Sequence, residues 1–183
     1  MKKHNLAFID LETTGLDPER HEIIEIGCII ARQVERPGLG PAVEKIEEID
    51  LKVKPEHVET ADPQSVRING YTKEAWLFAV DLKPALEEIV EKTKDAIMVG
   101  QNVSFDWVFL EKAFAKTGVT HMMHYHKIDT IALAFAKLYD DDRAQKYSLR
   151  SLCDLLGVVN EREHSALSDV RATYEVYKKL LNC

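Results

Sequence analysis

Leu6-Ala7-Phe8-Ile9-Asp10-Leu11-Glu12-Thr13-Thr14-Gly15-Leu16-Asp17 is the stretch around which the chain is organised. Its first four residues form an apolar run that reads as a buried strand, interrupted by two carboxylates at alternate positions before a Thr-Thr-Gly turn. Alternate residues of a strand share a face, so Asp10 and Glu12 point the same way. Two acids held side by side repel unless something positive lies between them. A divalent cation meets that need, and donors made only of oxygen suit Mg²⁺ or Mn²⁺. The alternative is a strand end carrying two solvated acids, and residues elsewhere in the chain decide between them.

The 183 residues have the length of one domain, 1–183, large enough for a sizeable core. Hydrophobic and charged fractions of 45% and 30% are those of an ordinary globular protein. No apolar run approaches the ~20 residues that span a bilayer, and residues 1–5 lead into a strand without a signal-peptide core. A cytoplasmic protein with no membrane partner is expected. Cys28, Cys153 and Cys183 form no C-x-x-C pair, so neither a disulfide framework nor a zinc site is indicated. The net charge of −7 argues against tight sequence-independent binding along a long nucleic acid, a term that comes from Lys and Arg. An enzyme acting on nucleic acid is still allowed, because metals held by carboxylates supply local positive charge.

Gly15 and Asp17-Pro18 make residues 13–21 a turn. The β-branched run Glu22-Ile23-Ile24-Glu25-Ile26-Gly27-Cys28-Ile29-Ile30 is expected to pair with the first strand, with Glu25 either at an open sheet edge or partnered. Arg36-Pro37-Gly38-Leu39-Gly40-Pro41 breaks the run, and Ile49, Leu51 and Val53 alternate with polar residues as a third strand over 45–53. Three strands joined by loops predict an antiparallel meander. Residues 54–71, with Pro55 and Pro63, read as a connection with little regular structure, and Thr72 as the cap of a short helix holding Ala75, Trp76 and Ala79. An amphipathic helix over 81–93 then leads to a buried strand over 95–100, the pattern of a parallel crossover.

Asn102-Val103-Ser104-Phe105-Asp106 leaves that strand, and an apolar helix follows with Trp107, Phe109, Leu110 and Phe114. By itself Asp106 reads as a capping acid at the first turn. The histidines of His121-Met122-Met123-His124-Tyr125-His126 have spacings that fit no helical zinc pair, so the stretch reads as a loop and edge strand. A helix is expected over 128–139, then the solvated run Asp140-Asp141-Asp142, then a helix capped by Ser148 and stopped by Gly157. A last helix runs from about Ser165 to Leu181. Arg143, Lys146 and Arg150 form the most basic short stretch, which reads as a solvated basic face first and as candidate phosphate contacts second. In His164-Ser165-Ala166-Leu167-Ser168-Asp169, five helical residues turn about 140°, so His164 and Asp169 reach one centre only if His164 lies in the loop before the helix.

Taken in order, the stretches at 10–15, 102–106 and 164–169 resemble the three motifs of the DEDDh 3′→5′ exonucleases, a family that includes proofreading subunits of bacterial replicative DNA polymerase and RNase T. The resemblance runs over residues 6–181. It implies an α/β, ribonuclease-H-like fold, with a central mixed five-stranded sheet (antiparallel meander plus parallel strands) flanked by helices. It makes Asp10, Glu12, Asp106 and Asp169 the ligands of two Mg²⁺ or Mn²⁺ ions and His164 the general base. In the tyrosine branch of the superfamily a Tyr stands four residues before the last Asp; this chain has Ser165 there, so the histidine branch is the one matched. Gln101 stands where such motifs often carry His. The turn after Glu12 is implied to face a terminal nucleotide, with Thr13 and Thr14 on the 3′-hydroxyl, Asn102 in contact with substrate, and Leu16 and Phe105 stacking on bases. Core packing is an equal reading for Phe105.

The reaction so implied is hydrolysis from the 3′ end of single-stranded DNA or RNA, releasing 5′-nucleoside monophosphates between two metal ions. A histidine titrating near neutrality accepts a proton from water at working pH, an effect of ~10²–10⁴-fold. A polymerase or a second copy of the chain is the implied protein partner. Two rival readings are a catalytically silent nucleic-acid or polymerase-binding domain and an RNase-H-like endonuclease. The full set of four acids and a histidine stands against the first, and the Thr-Thr-Gly turn with the His164/Asp169 spacing against the second.

Overall fold

The computed structural model describes residues 3–38 and 40–183. Five strands, β1 (Leu6–Thr13), β2 (Ile23–Arg36), β3 (Gly40–Lys52), β4 (Ile97–Gly100) and β5 (Lys127–Asp129), form one sheet in the order β3-β2-β1-β4-β5. β1 to β3 pair antiparallel, while β4 pairs parallel with both β1 and β5. This is the mixed sheet expected: a meander extended by parallel strands. The helices are α1 (Pro63–Asn69), α2 (Leu82–Lys92), α3 (Val103–Thr117), α4 (Thr130–Lys137), α5 (Leu149–Leu156) and α6 (Ala166–Leu181).

Strand alternation sorts β1 between two layers. Ala7, Ile9 and Leu11 pack with Leu86 and Ile89 of α2 and Phe109 and Leu110 of α3. Leu6 and Phe8 pack on the other face with Val170, Tyr174 and Tyr177 of α6. Phe8 meets both tyrosine rings edge-on at 5.2 Å, fixing α6 against the central strand. Burying each such large apolar side chain is worth roughly 1.5–3 kcal/mol. α4 and α5 cover the outer side of α6 through Ala134, Leu152, Cys153 and Val176.

Several elements depart from the sequence reading. Residues 54–71 contain α1, capped by Asp62, whose side chain accepts from Gln64 N, started by Pro63 and ended at Gly70 with φ of +70°. Residues 72–79 form turns, over 73–78, and irregular backbone in place of the expected helix. Thr72 Oγ1 does accept from Ala75 N, but the Trp76 indole reaches in to donate to Ile24 O and Val80 bonds to Lys52 O, which ties the segment to the sheet. α3 begins at Val103, ahead of Asp106. The edge strand is Lys127–Asp129, not the His-Met stretch, and α4 starts after Asp129, whose side chain caps it. β3 is longer than expected because β2 continues to Arg36 and the two form one hairpin; Leu39, part of the quoted break, lies outside the described residues. β2 is an interior strand, so Glu25 is partnered and not at an open edge.

Candidate active site

The site lies at the carboxyl-terminal ends of β1 and β4, with Asp10 and Glu12 in the last four residues of β1. Asp10 and Glu12 follow Leu6 and Phe8 on the α6 face. Asp106 comes from the first turn of α3, and its Oδ1 accepts from Leu11 N at 3.0 Å. The turn into α3 uses Asn102 in the left-handed region, φ of +61°, and Asp129 Oδ2 accepts from Val103 N. Asp169 comes from the first turn of α6. One of its oxygens accepts from Asn160 Nδ2, and the other accepts from His164 N at 3.0 Å. His164 lies before the helix with φ of +63°, the loop placement that its spacing from Asp169 requires. Donor atoms of Glu12, His164 and Asp169 lie within 4.8 Å of one another.

The electrostatics are those of buried, mutually repelling carboxyls that hold their protons tightly. Burial, then Asp106, Asp169, Glu12 and Glu25, push Asp10 well above the usual carboxylate range. Burial, with Asp169 next, pushes Glu12 up to about 8. Asp106 rises to about 8 through burial, against the lowering effect of the Leu11 hydrogen bond, and burial raises Asp169 too. The cleft of about 300 Å³ is lined by Asp10, Glu12, Asp106, Asp169 and His164, and no Lys or Arg lines it among the described residues. Clustered oxygen donors without a protein cation fit hard divalent metal ions.

Thr13, Leu16, Asn102 and Phe105 also line the cleft, joined by Ser65, Ile68 and Asn69 of α1 and by Gln101. Leu16 and Ile68 are 76% and 45% exposed, so the mouth is apolar above an acidic floor. Phe105 also packs on the Phe109 ring at 5.0 Å, so it lines the cleft with one part of its surface and the core with another. Thr14 stands behind this wall, fully buried, with its hydroxyl accepting from Glu22 N. Thr13 Oγ1 donates to Gly15 O, and Asn69 Nδ2 donates to Thr13 O. The turn rests on His21: a Cβ at Gly15 would lie 2.5 Å from its ring, and its Nδ1 accepts from Asp17 N. Arg143, Lys146 and Arg150 do not line the cleft. Arg143 forks onto Asp141 and Arg150 faces Glu163 at 3.7 Å. Gln101 bonds to Tyr147 O and Thr130 Oγ1, joining the cleft wall to the 140s loop.

The α1 residues and His21 have no place in the sequence reading of the site, and Glu25 stands there only as a strand residue either at an open edge or partnered. Asp62-Pro63 followed by Gly70 was a legible start and stop for α1. Glu25 carried the only internal charge of the β2 apolar run.

Known proteins share the sequence pattern and the fold of this chain. The chain is 33% identical over 174 residues to a DNA polymerase III PolC-type of Thermotoga maritima, covering 94% of this chain and 12% of that protein. It is 25% identical over 181 residues to the PolC-type of Bacillus subtilis, covering 99% and 12%. The chain thus spans about an eighth of the length of these curated relatives. Among solved structures it is similar to E. coli exonuclease I in complex with a dT13 oligonucleotide, with a TM-score of 0.76, 19% identity, and coverage of 96% of this chain and 40% of that one. It is also similar to a 3′-exonuclease that recognises the 3′ end of a histone mRNA stem-loop, with a TM-score of 0.73, 18% identity, and coverage of 98% and 82%. At these identities the structural likeness shows a shared fold. The RNase T exonuclease family profile matches residues 7–177, nearly the whole chain, and this protein belongs to that exonuclease family.

Proposed function

We propose that this chain is a divalent-metal-dependent 3′→5′ exonuclease of the DEDDh type, acting on single-stranded DNA or RNA and releasing 5′-nucleoside monophosphates. The observation that carries it is the convergence of Asp10 and Glu12 from β1, Asp106 from α3 and Asp169 from α6 on one cleft beside His164. The four carboxylates are the ligand set for two Mg²⁺ or Mn²⁺ ions, which when bound acidify water and stabilise charge on the scissile phosphate.

The chain's own residues do the rest. His164, exposed at the cleft and held through its N–H to Asp169, takes the proton of the attacking water. Leu16, Ile68 and Phe105 of the cleft give terminal bases apolar surfaces. Asn102 and Thr13 face the end of the strand. Thr14 acts through the turn it anchors. Arg143, Lys146 and Arg150 lie outside the cleft, where they can meet only phosphates further along the strand.

Neither sugar is favoured by the site, and the similar solved structures include one bound to a DNA oligonucleotide and one that recognises an RNA 3′ end. Association with a polymerase rests on the names of the PolC-type relatives, and a homodimer on the family resemblance. Incubation of linear and circular single strands with Mg²⁺, Mn²⁺ or EDTA tests the reading. Metal-dependent loss of the linear strand alone is expected; cutting of the circle would indicate an endonuclease instead.

A further inference from the structure

Glu25 is a buried carboxylate with no part in the reaction just described. It is 4% exposed, in an interior strand. Its Oε1 accepts from Ser165 Oγ at 3.2 Å and from Ala166 N at 3.1 Å, the residues that begin α6. An acceptor there satisfies an unpaired helix N–H and interacts favourably with the helix dipole.

The strand register gives this contact its meaning. Across the β1–β2 ladder Glu12 faces Glu25 and Asp10 faces Gly27. Glu25 and Gly27, two apart, lie on the α6 face of β2. Gly27 leaves the space for the first turn of α6: a Cβ there would come within 2.3 Å of Ala166 O and 2.6 Å of Leu167 N, both backbone. Glu25 supplies the bond that holds that turn in place. The two β2 residues opposite the two β1 carboxylates therefore seat the helix start that carries His164 just before it and Asp169 in its first turn.

We infer that Glu25 is a positioning residue that docks the α6 N-terminus onto β2 and so sets His164 and Asp169 at their working distance from Asp10 and Glu12. The inference rests on the exonuclease reading for its kinetic consequence, but the docking itself is independent of it. What matters is the reach of the acceptor oxygen and not its charge. Glu25→Gln keeps the oxygen in place without the charge. Glu25→Asp keeps the charge but falls one methylene short.

The test compares both variants with Glu25→Ala and wild type in four readouts: hydrogen exchange of the Ala166 amide, Mn²⁺ affinity by calorimetry, kcat and KM on a short single-stranded oligonucleotide, and Tm. Groups that orient metal ligands typically contribute about 10–100-fold to metal affinity or activity. Glu25→Asp and Glu25→Ala are expected to speed Ala166 exchange, weaken Mn²⁺ binding and lower kcat by about 10–100-fold, with KM within about 3-fold. Glu25→Gln is expected to stay within about 5-fold of wild type in all of these. Full activity in Glu25→Asp with loss in Glu25→Gln would make charge the operative property and overturn the inference. So would a lower Tm with unchanged kcat and Mn²⁺ affinity. A wild type without nuclease activity, but with Ala166 exchange and Mn²⁺ affinity following the expected order, would overturn the exonuclease reading and leave the docking role standing. If Glu25→Ala fails to fold, the crossed Asp and Gln pair still decides.

Discussion

Asp106 concentrates the conflict between folding and chemistry in one side chain. It is 3% exposed, its pKa is raised to about 8, and yet it accepts a backbone hydrogen bond. Asp106→Asn keeps an oxygen for Leu11 N and removes the carboxyl that repels its neighbours. Activity is expected to fall at least ~100-fold, while the metal-free protein melts at an equal or higher temperature at pH 8; side-by-side activity and melting measurements check this. A fall in both would show that the carboxylate supports the fold. At the mouth, Leu16→Ala and Phe105→Ala each remove a surface for bases. Base–aromatic stacking contributes about 1–3 kcal/mol per base, so KM is expected to rise by about 5–150-fold in Phe105→Ala and in the same direction in Leu16→Ala, with kcat less affected. Phe105→Ala should also lower Tm, because that ring packs on Phe109; Leu16→Ala should not, since it is mostly exposed.

At the level of elements, α1 buttresses the turn after Glu12 through Asn69, which donates to Thr13 O and accepts from Tyr71 N. Asn69→Ala leaves Thr13 O without its side-chain partner and should cost about 1–3 kcal/mol of stability, read in urea unfolding, with a higher KM. Much of this architecture was legible beforehand. The apolar runs of β1 and β2 exceed any competing signal, and the carboxylates at 10 and 12 are fixed on one face by strand period alone. α1 was not legible as a helix because it is short and lies among prolines and charges, though its cap, proline and glycine were all in view. The turns at 72–79 carried a true capping residue, yet Trp76 and Val80 bind the sheet and no helix forms. Glu25 was ambiguous because its partners, Ser165 and Ala166, lie far along the chain, and no local pattern reveals contacts at that separation. The basic stretch at 143–150 stood out by charge alone, and charge alone does not place a residue at a cleft.

For the whole molecule, the raised carboxyls make metal-free stability depend on pH with a definite sign. Asp10, Glu12, Asp106 and Asp169 bind protons more tightly in the folded chain than in the unfolded one. Between an unfolded pKa of about 4 and the folded values near 8 for Glu12 and Asp106, folding takes up protons, so stability falls as pH rises through that window. The metal-free Tm is expected to be lower at pH 8 than at pH 5. Mg²⁺ or Mn²⁺ should raise it far more at pH 8, where the ligands ionise readily, by about 2.7 kcal/mol of stability at about 100 times Kd. Calorimetric melts with and without EDTA at the two pH values check this, and an equal metal effect at both would contradict the raised carboxyls. No helix among the described residues is long and apolar enough to cross a membrane.

The most direct measurement is digestion of 5′-labelled single-stranded DNA and RNA oligonucleotides of matched sequence with Mg²⁺, Mn²⁺ or EDTA, beside Asp10→Ala and His164→Ala. The cleft predicts a ladder that shortens from the 3′ end with either metal, is absent in EDTA, and is lost or reduced at least ~100-fold in both variants. Substrate left intact under every metal condition, or a ladder that persists in Asp10→Ala, would contradict a nuclease centre at the end of β1.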